Sequence, residues 1–164
     1  AQERRRLHHR YSNPARMDRL NMNIKIKKLD PDAIVPQYQT PDAACFDLHA
    51  THCATICQRD SELIATGLAF EVPEDHVMLI FSRSGHGFNA GVRLANCVGV
   101  IDSDYRHEVL VKLHCDSDWD KGLIIEKGDR IAQAMILPVK QVTFEVVDEL
   151  STTQRNGGFG STGA

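Results

Sequence analysis

Short apolar runs rich in β-branched residues, separated by turn residues, dominate this sequence, and long stretches of helical periodicity are few. We predict strands at residues 24–28, 46–50, 63–72, 76–81, 99–101, 109–115, 123–125, 131–139 and 142–147. One short helix is expected after Ser84, although the glycines in that segment weaken it. So many strands in one chain predict an all-β fold, such as a sandwich, a jelly roll or a barrel.

The length of 164 residues corresponds to a single domain that is large enough to bury its own core. Composition divides the chain into a basic N-terminal extension at residues 1–21, a β domain at residues 22–150 and a glycine-rich tail at residues 151–164. No apolar stretch approaches the roughly 20 residues of a membrane-spanning helix, which excludes a helical membrane protein.

Charge is distributed unevenly, although the whole chain carries a net charge of only −3. Residues 1–21 contain six arginines against Glu3 and Asp18, a net charge of +4, so the remaining residues carry −7. Such a leader is typical of a targeting segment or an arm for nucleic acid, but it lacks the apolar region of a secretory signal. We expect a disordered extension in preference to an organelle signal, and no direct binding of nucleic acid or membrane.

The cysteines bear on the cellular compartment. The five cysteines form no CxxC pair, and their odd number argues against a disulfide framework and against a zinc site. We therefore predict core thiols, a cytoplasmic protein and no metal held by protein ligands.

One acidic segment follows an apolar strand and contains Asp102, Asp104 and Glu108. Asp102 and Asp104 would share a face of an extended chain, where one carboxylate can act as a general base or two can bind a cation. A solvated turn between two strands is the alternative, because Asp and Ser are common turn residues.

Two segments carry cationic and hydroxyl groups that suit an anion. Arg83, Ser84 and Gly85 follow one strand, and Arg130 and Gln133 begin another. The alternatives are ordinary turns, with the arginines paired structurally to acidic residues.

The tail sets Arg155 and Phe159 among glycines and hydroxyl residues, a composition that cannot form a core. Glycine-rich ends are commonly flexible. The alternative is a segment that orders on a ligand, with backbone N–H groups around phosphates, Arg155 supplying charge and Phe159 supplying a stacking face.

Five segments occur in the order ACFDL (44–48), RSG (83–85), NCVGVIDSDY (96–105), GDRIAQ (128–133) and GGFGSTG (157–163). In this order they resemble the five motifs of the trimeric deoxyuridine triphosphate nucleotidohydrolases (dUTPases), and the third and fifth are the most specific. The resemblance implies a distorted jelly roll that forms a homotrimer, with active sites at subunit interfaces and the tail closing each site. It also implies hydrolysis of dUTP to dUMP and pyrophosphate, which limits uracil incorporation into DNA and supplies dUMP for dTMP synthesis.

The same resemblance implies roles for individual residues. Asp102 would deprotonate the water that attacks the α-phosphorus, and Asp47 would help to fix the polar site. Mg²⁺ would be held by the triphosphate, with no direct protein ligand. The implied substrate-binding residues are Arg83, Ser84, Gly85, Asn96, Gly99, Ile101, Tyr105, Gln133, Arg155, Phe159, Gly160 and Ser161.

In this resemblance, Asn96 and the main chain of a hairpin over residues 96–105 would match the uracil edge and leave cytosine with unpaired groups. Tyr105 would pack under the deoxyribose, and Phe159 would cover the uracil. Gln133 and the RSG segment would hold the phosphates, with Arg155 on the γ-phosphate.

Four positions depart from the family pattern. One residue rather than two separates Arg155 from the following Gly-Gly-Phe-Gly, so its guanidinium would fall about 3.3 Å short of the γ-phosphate unless the loop compensates. Cys45 stands where the first motif often has Gly, and Ser82 stands where Pro often precedes Arg-Ser. His107 stands where Gly is common; if that position requires a positive φ, the histidine is strained, and otherwise it is neutral.

Two other functions stay open on the sequence alone. A dCTP deaminase shares this fold and much of the phosphate site, but the arrangement of Asp102 with Tyr105 and the full tail favour a dUTPase. A catalytically weak trimer that binds dUTP as a regulatory ligand is supported only by the spacing at Arg155. Deamination of dCTP would identify the first, and dUTP binding without turnover would identify the second.

Overall fold

A computed structural model of the chain describes residues 22–118, 122–154 and 157. The predicted substrate-binding residues Arg155, Phe159, Gly160 and Ser161 lie outside this part of the chain, as does the basic extension. Within the described residues, no helix has the length and apolar character needed to cross a membrane.

The described residues form short strands and one short helix, as the all-β prediction requires. Helix α1 (Ser84–Ala90) is the helix expected after Ser84. The strands are β1 (Lys25–Lys28), β2 (Phe46–His49), β3 (Ala54–Ile56), β4 (Ser61–Ala65), β5 (Leu68–Glu71), β6 (His76–Phe81), β7 (Val92–Leu94), β8 (Val98–Ile101), β9 (Leu110–Cys115), β10 (Leu123–Ile125) and β11 (Arg130–Pro138).

Four antiparallel sheets are built from these strands. The largest has the order β2-β11-β6-β8, a three-stranded sheet has the order β4-β9-β7, and β1-β5 and β3-β10 form two-stranded pairs. Most neighbours in the sheets are distant in sequence, which is typical of a jelly roll rather than of a meander. The last strand, β11, therefore lies between β2 and β6 and sets their relative positions.

One hydrophobic cluster joins the two larger sheets. It contains Leu48 and Met78 from the largest sheet and Ile64 and Leu113 from the three-stranded sheet, all of them fully or almost fully buried. Each such side chain contributes about 1.5–3 kcal/mol by leaving water. The cluster therefore packs the two sheets against each other and fixes their relative position.

The predicted strand at residues 63–72 is divided into β4 and β5 by a turn at Gly67. Gly67 has a φ of 67°, and a Cβ at this position would lie 2.8 Å from the Cβ atoms of Ala33 and Asp30. Only glycine fits this conformation and this close approach. The apolar residues on both sides of the turn make the sequence read as one continuous strand.

The predicted strand at residues 142–147 is wrong, because this segment pairs with no strand among the described residues. Phe144 and Val146 are 93% and 99% exposed. Their alternation is that of a strand, but the described chain presents no partner for it. Conversely, the sequence does not predict β3 and β7, because Thr55 and Arg93 interrupt these three-residue strands and leave no apolar run.

Helix α1 forms although two glycines lie within it. Arg83 precedes the helix in an extended conformation, and Gly91 ends it in the left-handed conformation with a φ of 63°. The N–H of Gly91 donates a hydrogen bond of 3.1 Å to the carbonyl oxygen of Gly87. These bounds place Ser84 and Gly85 at the exposed start of the helix, immediately beyond the end of β6.

Candidate active site

Three of the predicted site segments meet around β11. Gln133 of β11 pairs with Asp47 of β2 on one side and with Phe81 of β6 on the other. Phe81 leads within three residues to Arg83 and Ser84. The register of one strand therefore brings the first, second and fourth motif segments to one corner of the sheet.

Asp47 is a buried charged side chain, and two arginines neutralise it. Its Oδ1 atom lies 3.3 Å from Nε of Arg83, and its Oδ2 atom accepts a hydrogen bond of 3.3 Å from Nη1 of Arg130. Arg83 also donates through Nη1 to the backbone carbonyl of Arg130 at 3.1 Å. A buried carboxylate requires such partners, and here they fix β2, β11 and the residue before α1 relative to one another.

Gln133 and the start of α1 complete this corner. Nε2 of Gln133 donates a hydrogen bond of 2.9 Å to the carbonyl oxygen of Ser82. Ser84 and Gly85 are exposed, and a Cβ on Gly85 would meet no described atom within 4 Å. A hydroxyl, exposed backbone N–H groups and the adjacent guanidinium of Arg83 are groups that bind phosphate oxygens.

The third motif segment does not form the predicted hairpin. β7 pairs with β9 and β8 pairs with β6, so the chain passes from one sheet to the other through a turn at Asn96 and Cys97. The left-handed φ of 64° at Cys97 makes this change of direction. β8 is the edge strand of its sheet, so main-chain donors and acceptors on its outer side are free of strand pairing within the described chain.

Asn96 and Gly99 line a groove of about 370 Å³, together with Leu94 and Ile80. Gly99 pairs with Ile80, and a Cβ on Gly99 would lie 3.1 Å from the Cβ of Ile80. The absence of a side chain therefore allows the two strands to approach closely. A groove of this volume is large enough for a nucleoside.

Asp102 follows the last residue of β8 and begins a turn. The N–H of Tyr105 donates a hydrogen bond of 3.2 Å to the carbonyl oxygen of Asp102. The side chain of Asp102 is exposed and lines a second groove of about 670 Å³ with Ser103, Asp104 and His76. The sequence offers a solvated turn and a pair of carboxylates as alternatives. The structure has both, because the two carboxylates lie in an exposed turn.

Tyr105 is held by contacts within its own turn. Its hydroxyl donates to the carbonyl oxygen of Glu108 at 2.9 Å, and its ring meets the ring of His107 edge-on, with centroids 5.6 Å apart. The carboxylate of Glu108 accepts a hydrogen bond of 2.7 Å from the N–H of Gly67. Glu108 is therefore a structural carboxylate, and Asp102 and Asp104 are the members of the acidic segment that face solvent.

Three of the four departures from the family pattern fall within the described residues. His107 has no positive φ and is not strained, since the described non-glycine residues with positive φ are Arg59, Asp75 and Cys97. Ser82 accepts a hydrogen bond of 2.8 Å from the N–H of Leu94. Cys45 is half-buried, and this burial, followed by the charge of Asp47, raises the pKa of its thiol, which stays protonated at neutral pH.

The two halves of the candidate site lie towards opposite ends of β6. Asp102 follows Ile101, which pairs with Met78, whereas Ser84 lies beyond Phe81 at the other end of the strand. Met78 and Phe81 are about 10 Å apart, at about 3.3 Å per residue of extended chain. Within one chain, Asp102 and Ser84 therefore lie towards opposite ends of β6.

Two histidines that the sequence predictions do not select flank the Asp47 corner. His49 lies two residues after Asp47 on the same face of β2 and pairs with Arg130. His86 lies two residues after Ser84 in α1. Each ring has a buried Nδ1 atom with no hydrogen-bond partner among the described residues. Each histidine lies two positions beyond a motif residue, but the burial that sets it apart depends on the fold.

Burial is the largest influence on both rings, and it lowers the pKa of each histidine below the ordinary value of 6.5. For His49, the charge of Asp47 opposes this shift. For His86, Arg83 adds to the shift and Asp129 opposes it. Both rings are therefore mostly neutral at pH 7.

The fold and these residues define a jelly-roll protein with an arginine-paired corner and a separate turn that exposes carboxylates. A family model described as dUTPase matches residues 31–163. The chain belongs to the dUTPase family, and the resemblance seen in its five sequence segments is confirmed.

Two relatives and one solved structure illustrate this membership. The deoxyuridine 5'-triphosphate nucleotidohydrolase of Nautilia profundicola is 48% identical over 143 residues, which cover 87% of this chain and 99% of the relative. The one from Helicobacter hepaticus is 47% identical over 146 residues, which cover 87% of this chain and 90% of the relative. The Staphylococcus bacteriophage 80alpha dUTPase with dUPNHPP has a TM-score of 0.77 at 23% identity, covering 87% of this chain and 99% of that one. This likeness confirms the jelly-roll fold.

Proposed function

We propose that this chain hydrolyses dUTP to dUMP and pyrophosphate in the cytoplasm, as a homotrimer whose active sites lie between subunits. The observation that carries the proposal is the register of β11, which places Gln133 beside Asp47 and next to the segment that leads to Ser84, in a member of the dUTPase family. The reaction would limit uracil incorporation into DNA and supply dUMP for dTMP synthesis.

The separation of Asp102 from Ser84 supports a site that two subunits share. A neighbouring subunit can place its Asp102 turn and its β8 edge against the Asp47 and Ser84 corner of this chain. Such a contact joins two different surfaces, and three contacts of this kind close a ring. Each ring would then contain three equivalent sites.

Exposed apolar side chains also support the assembly. In the segment at residues 142–150, Phe144, Val146 and Leu150 are 93%, 99% and 85% exposed, and Val100 on the edge strand β8 is 60% exposed. A monomer rarely exposes so many large apolar side chains. We propose that neighbouring subunits cover both surfaces, which would give the strand-like segment at residues 142–147 the partner it lacks among the described residues.

Hydrolysis requires a base at the attacking water and firm positioning of the triphosphate. Asp102 would accept a proton from the water as the water oxygen attacks the α-phosphorus. The bond between this phosphorus and the bridging oxygen breaks, and pyrophosphate leaves with the electron pair. Ser84, Gly85 and Gln133 would hold the phosphate oxygens in line for this displacement.

Asp47 would act by positioning rather than as a base. Both of its oxygens already face guanidinium groups, at 3.3 Å from Arg83 and 3.3 Å from Arg130. Arg83 would then serve the phosphates as a cation whose orientation Asp47 fixes. With Asp47 positioning Arg83, Asp102 would be the proton acceptor.

Base selection would depend on the edge of β8. Asn96 and the main chain of Gly99 and Ile101 would match the donors and acceptors of uracil, and cytosine would leave these groups unpaired. Tyr105 would pack under the deoxyribose, where a 2′-hydroxyl has no room. The groove at Asn96 and Gly99, of about 370 Å³, supports this placement.

Magnesium would enter with the substrate. Among the residues the structure describes, no three His, Cys, Asp or Glu side chains form a metal-binding group. The buried carboxylate of Asp47 is occupied by its two arginines. This set of donors fits a Mg²⁺ that is held by triphosphate oxygens and water, where it neutralises part of the phosphate charge.

The tail would complete the site. Arg155 would contact the γ-phosphate, Phe159 would cover the uracil, and Gly160 and Ser161 would contact the substrate through the tail backbone. These four residues lie outside the described chain, and the sequence resemblance supports their roles.

Mixed trimers test the shared site. Asp102→Asn and Ser84→Ala chains with different affinity tags are co-expressed, and trimers that carry both tags are purified. If each site takes Asp102 from one subunit and Ser84 from another, every trimer that carries both tags has both residues intact in about one third of its sites. Turnover of dUTP should then rise well above the mean of the two parent homotrimers.

The parent homotrimers, mixed only after purification, are the matched control. A mixture without gain over this control would show that the two residues act within one chain or that one of them is dispensable. A single-subunit mass in light scattering would contradict the trimer itself.

A further inference from the structure

Tyr105 is attached to the body of the protein through the tip of its ring. Its hydroxyl donates a hydrogen bond of 2.9 Å to the carbonyl oxygen of Glu108. Glu108 is anchored in turn, because its carboxylate accepts a hydrogen bond of 2.7 Å from the N–H of Gly67. The next residue, Val109, donates through its N–H to the carbonyl oxygen of Leu68 at 2.9 Å. The position of the tyrosine hydroxyl is therefore fixed by the fold.

A hydrogen bond at the hydroxyl does not fix the plane of the Tyr105 ring. The hydroxyl oxygen of a tyrosine lies on the Cβ–Cγ axis, so rotation about χ2 turns the ring without moving this oxygen. The χ2 torsion of an aromatic side chain has broad minima rather than three sharp ones. The orientation of the ring therefore depends on the groups that touch its faces and edges.

His107 supplies a contact that restricts this rotation. Its imidazole meets the Tyr105 ring with centroids 5.6 Å apart and planes inclined at 70°, the edge-on arrangement that aromatic rings favour. Within the described residues, no other aromatic ring contacts that of Tyr105. Tyr105 is still 36% exposed, so part of its ring is open to a ligand.

We propose that His107 is a positioning residue for sugar selection, which holds the plane of Tyr105 so that the pocket accepts a deoxyribose and excludes a 2′-hydroxyl. This inference rests on the proposed function, because it assumes that the sugar packs against Tyr105. A ring that turns about χ2 presents its face to the sugar for only part of the time, and it leaves space for a larger sugar when it has turned. His107 touches no substrate in this account and acts through Tyr105.

The imidazole of His107 stands at one of the positions that depart from the family pattern. Glycine is common there, and a glycine has no side chain that could touch Tyr105. His107 has no positive φ, so its backbone conformation does not require glycine. The turn therefore accommodates an aromatic side chain at this position without strain, and the neighbouring ring gains a partner.

Replacing His107 by Ala removes the imidazole and keeps the Cβ, so the backbone of the turn gains little freedom. A non-hydrolysable α,β-imido dUTP and the corresponding imido UTP, each with Mg²⁺, are titrated into the protein by calorimetry. The preference for the dUTP analogue over the UTP analogue should fall by about 2- to 10-fold in His107→Ala, the range that an edge-on ring contact supplies. The KM for dUTP should rise and kcat should stay unchanged, because Asp102 is intact.

His107→Phe assigns the effect to the ring. Phenylalanine restores an edge-on partner without the imidazole nitrogens, so the preference should return to that of the wild type. His52→Ala removes another exposed histidine and should also match the wild type. Equal losses in His107→Phe and His107→Ala would overturn the inference, since the imidazole would then act through its nitrogens.

A double-mutant cycle tests whether His107 acts through Tyr105. Tyr105→Ala removes the ring, so the addition of His107→Ala should change the preference no further. A second loss of the same size would overturn the positioning role. An unchanged preference in His107→Ala, in a protein whose wild type releases pyrophosphate from dUTP, would contradict this inference alone. A wild-type chain that releases none would contradict the proposed function.

Discussion

Asp47 Oδ1 lies 3.3 Å from Nε of Arg83, and this ion pair connects a buried strand to the residue that precedes α1. The side chains of Asp47 and Arg83 are only 11% and 22% exposed, so water screens the pair weakly. The position of Ser84 therefore depends on a carboxylate that, in our account, does not touch the reacting atoms.

Replacing Asp47 by Asn should lower the free energy of unfolding by about 3 kcal/mol, because an amide cannot neutralise two guanidinium groups. This value is at the low end for a buried pair, since the Arg130 side chain is 44% exposed. Urea denaturation at fixed protein concentration measures the change. Asp116→Asn is the matched control, because Asp116 pairs with Arg93 at the surface and should contribute little. Equal losses in the two variants would contradict a special role for Asp47.

Replacing Gly99 by Ala should cost about 2 kcal/mol of stability, because the new Cβ would lie 3.1 Å from that of Ile80 and the strands must separate. The displaced β8 edge should also raise the KM for dUTP. Gly87→Ala is the control, since its Cβ would have 3.9 Å of space and alanine favours the helix. A Gly99→Ala protein with unchanged denaturation midpoint and KM would refute the close approach of β8 to β6.

His49 should make the protein less stable in mild acid. Because burial lowers its folded-state pKa below the ordinary 6.5, its contribution is fully present above pH 6.5 and decreases as the pH falls through the folded value. The free energy of unfolding should therefore decline from pH 7 to pH 5, and the decline should be shallower in His49→Gln. Urea titrations at several pH values measure the slope, with His52→Gln as control. Parallel slopes in the wild type and His49→Gln would show that this ring is not desolvated.

Asp102→Asn should reduce kcat by about 10²- to 10⁴-fold, which is the usual cost of removing a general base. Binding of the imido analogue should be almost unchanged, because the amide keeps the size of the side chain. Single-turnover kinetics and calorimetry separate the two effects. Asp104→Asn changes the neighbouring carboxylate in the same groove and should keep turnover. Unchanged turnover in Asp102→Asn would remove this residue from the mechanism.

Local sequence patterns predict most of the strands. Alternation and β-branched residues predict the long strands, and β9 alternates between exposed and buried positions along its length. The break at Gly67 is hidden, because its cause is the approach of Ala33 and Asp30 from a distant part of the chain. The segment at residues 142–147 shows the opposite error, since a strand pattern does not ensure that the same chain supplies a partner.

The sequence predicts which residues belong to the site, but it does not predict how they are arranged. The motif segments identify Asp47, Ser84 and Asp102, but the distance between Asp102 and Ser84 depends on the register of β6 with β8, which no local pattern encodes. The sequence leaves open whether Arg83 and Arg130 pair with an acidic residue or bind phosphate, and the fold pairs both with Asp47. The sequence does not single out His86, because the burial of its Nδ1 atom depends on the fold.

Pyrophosphate release in the presence of Mg²⁺ from dUTP, dCTP, dTTP and UTP, measured in parallel with analysis of the base in each product, tests the central claim most directly. We predict rapid release from dUTP alone, with dUMP as the other product. Deamination of dCTP, or tight binding of dUTP without release, would contradict the account and favour a deaminase or a regulatory trimer, respectively.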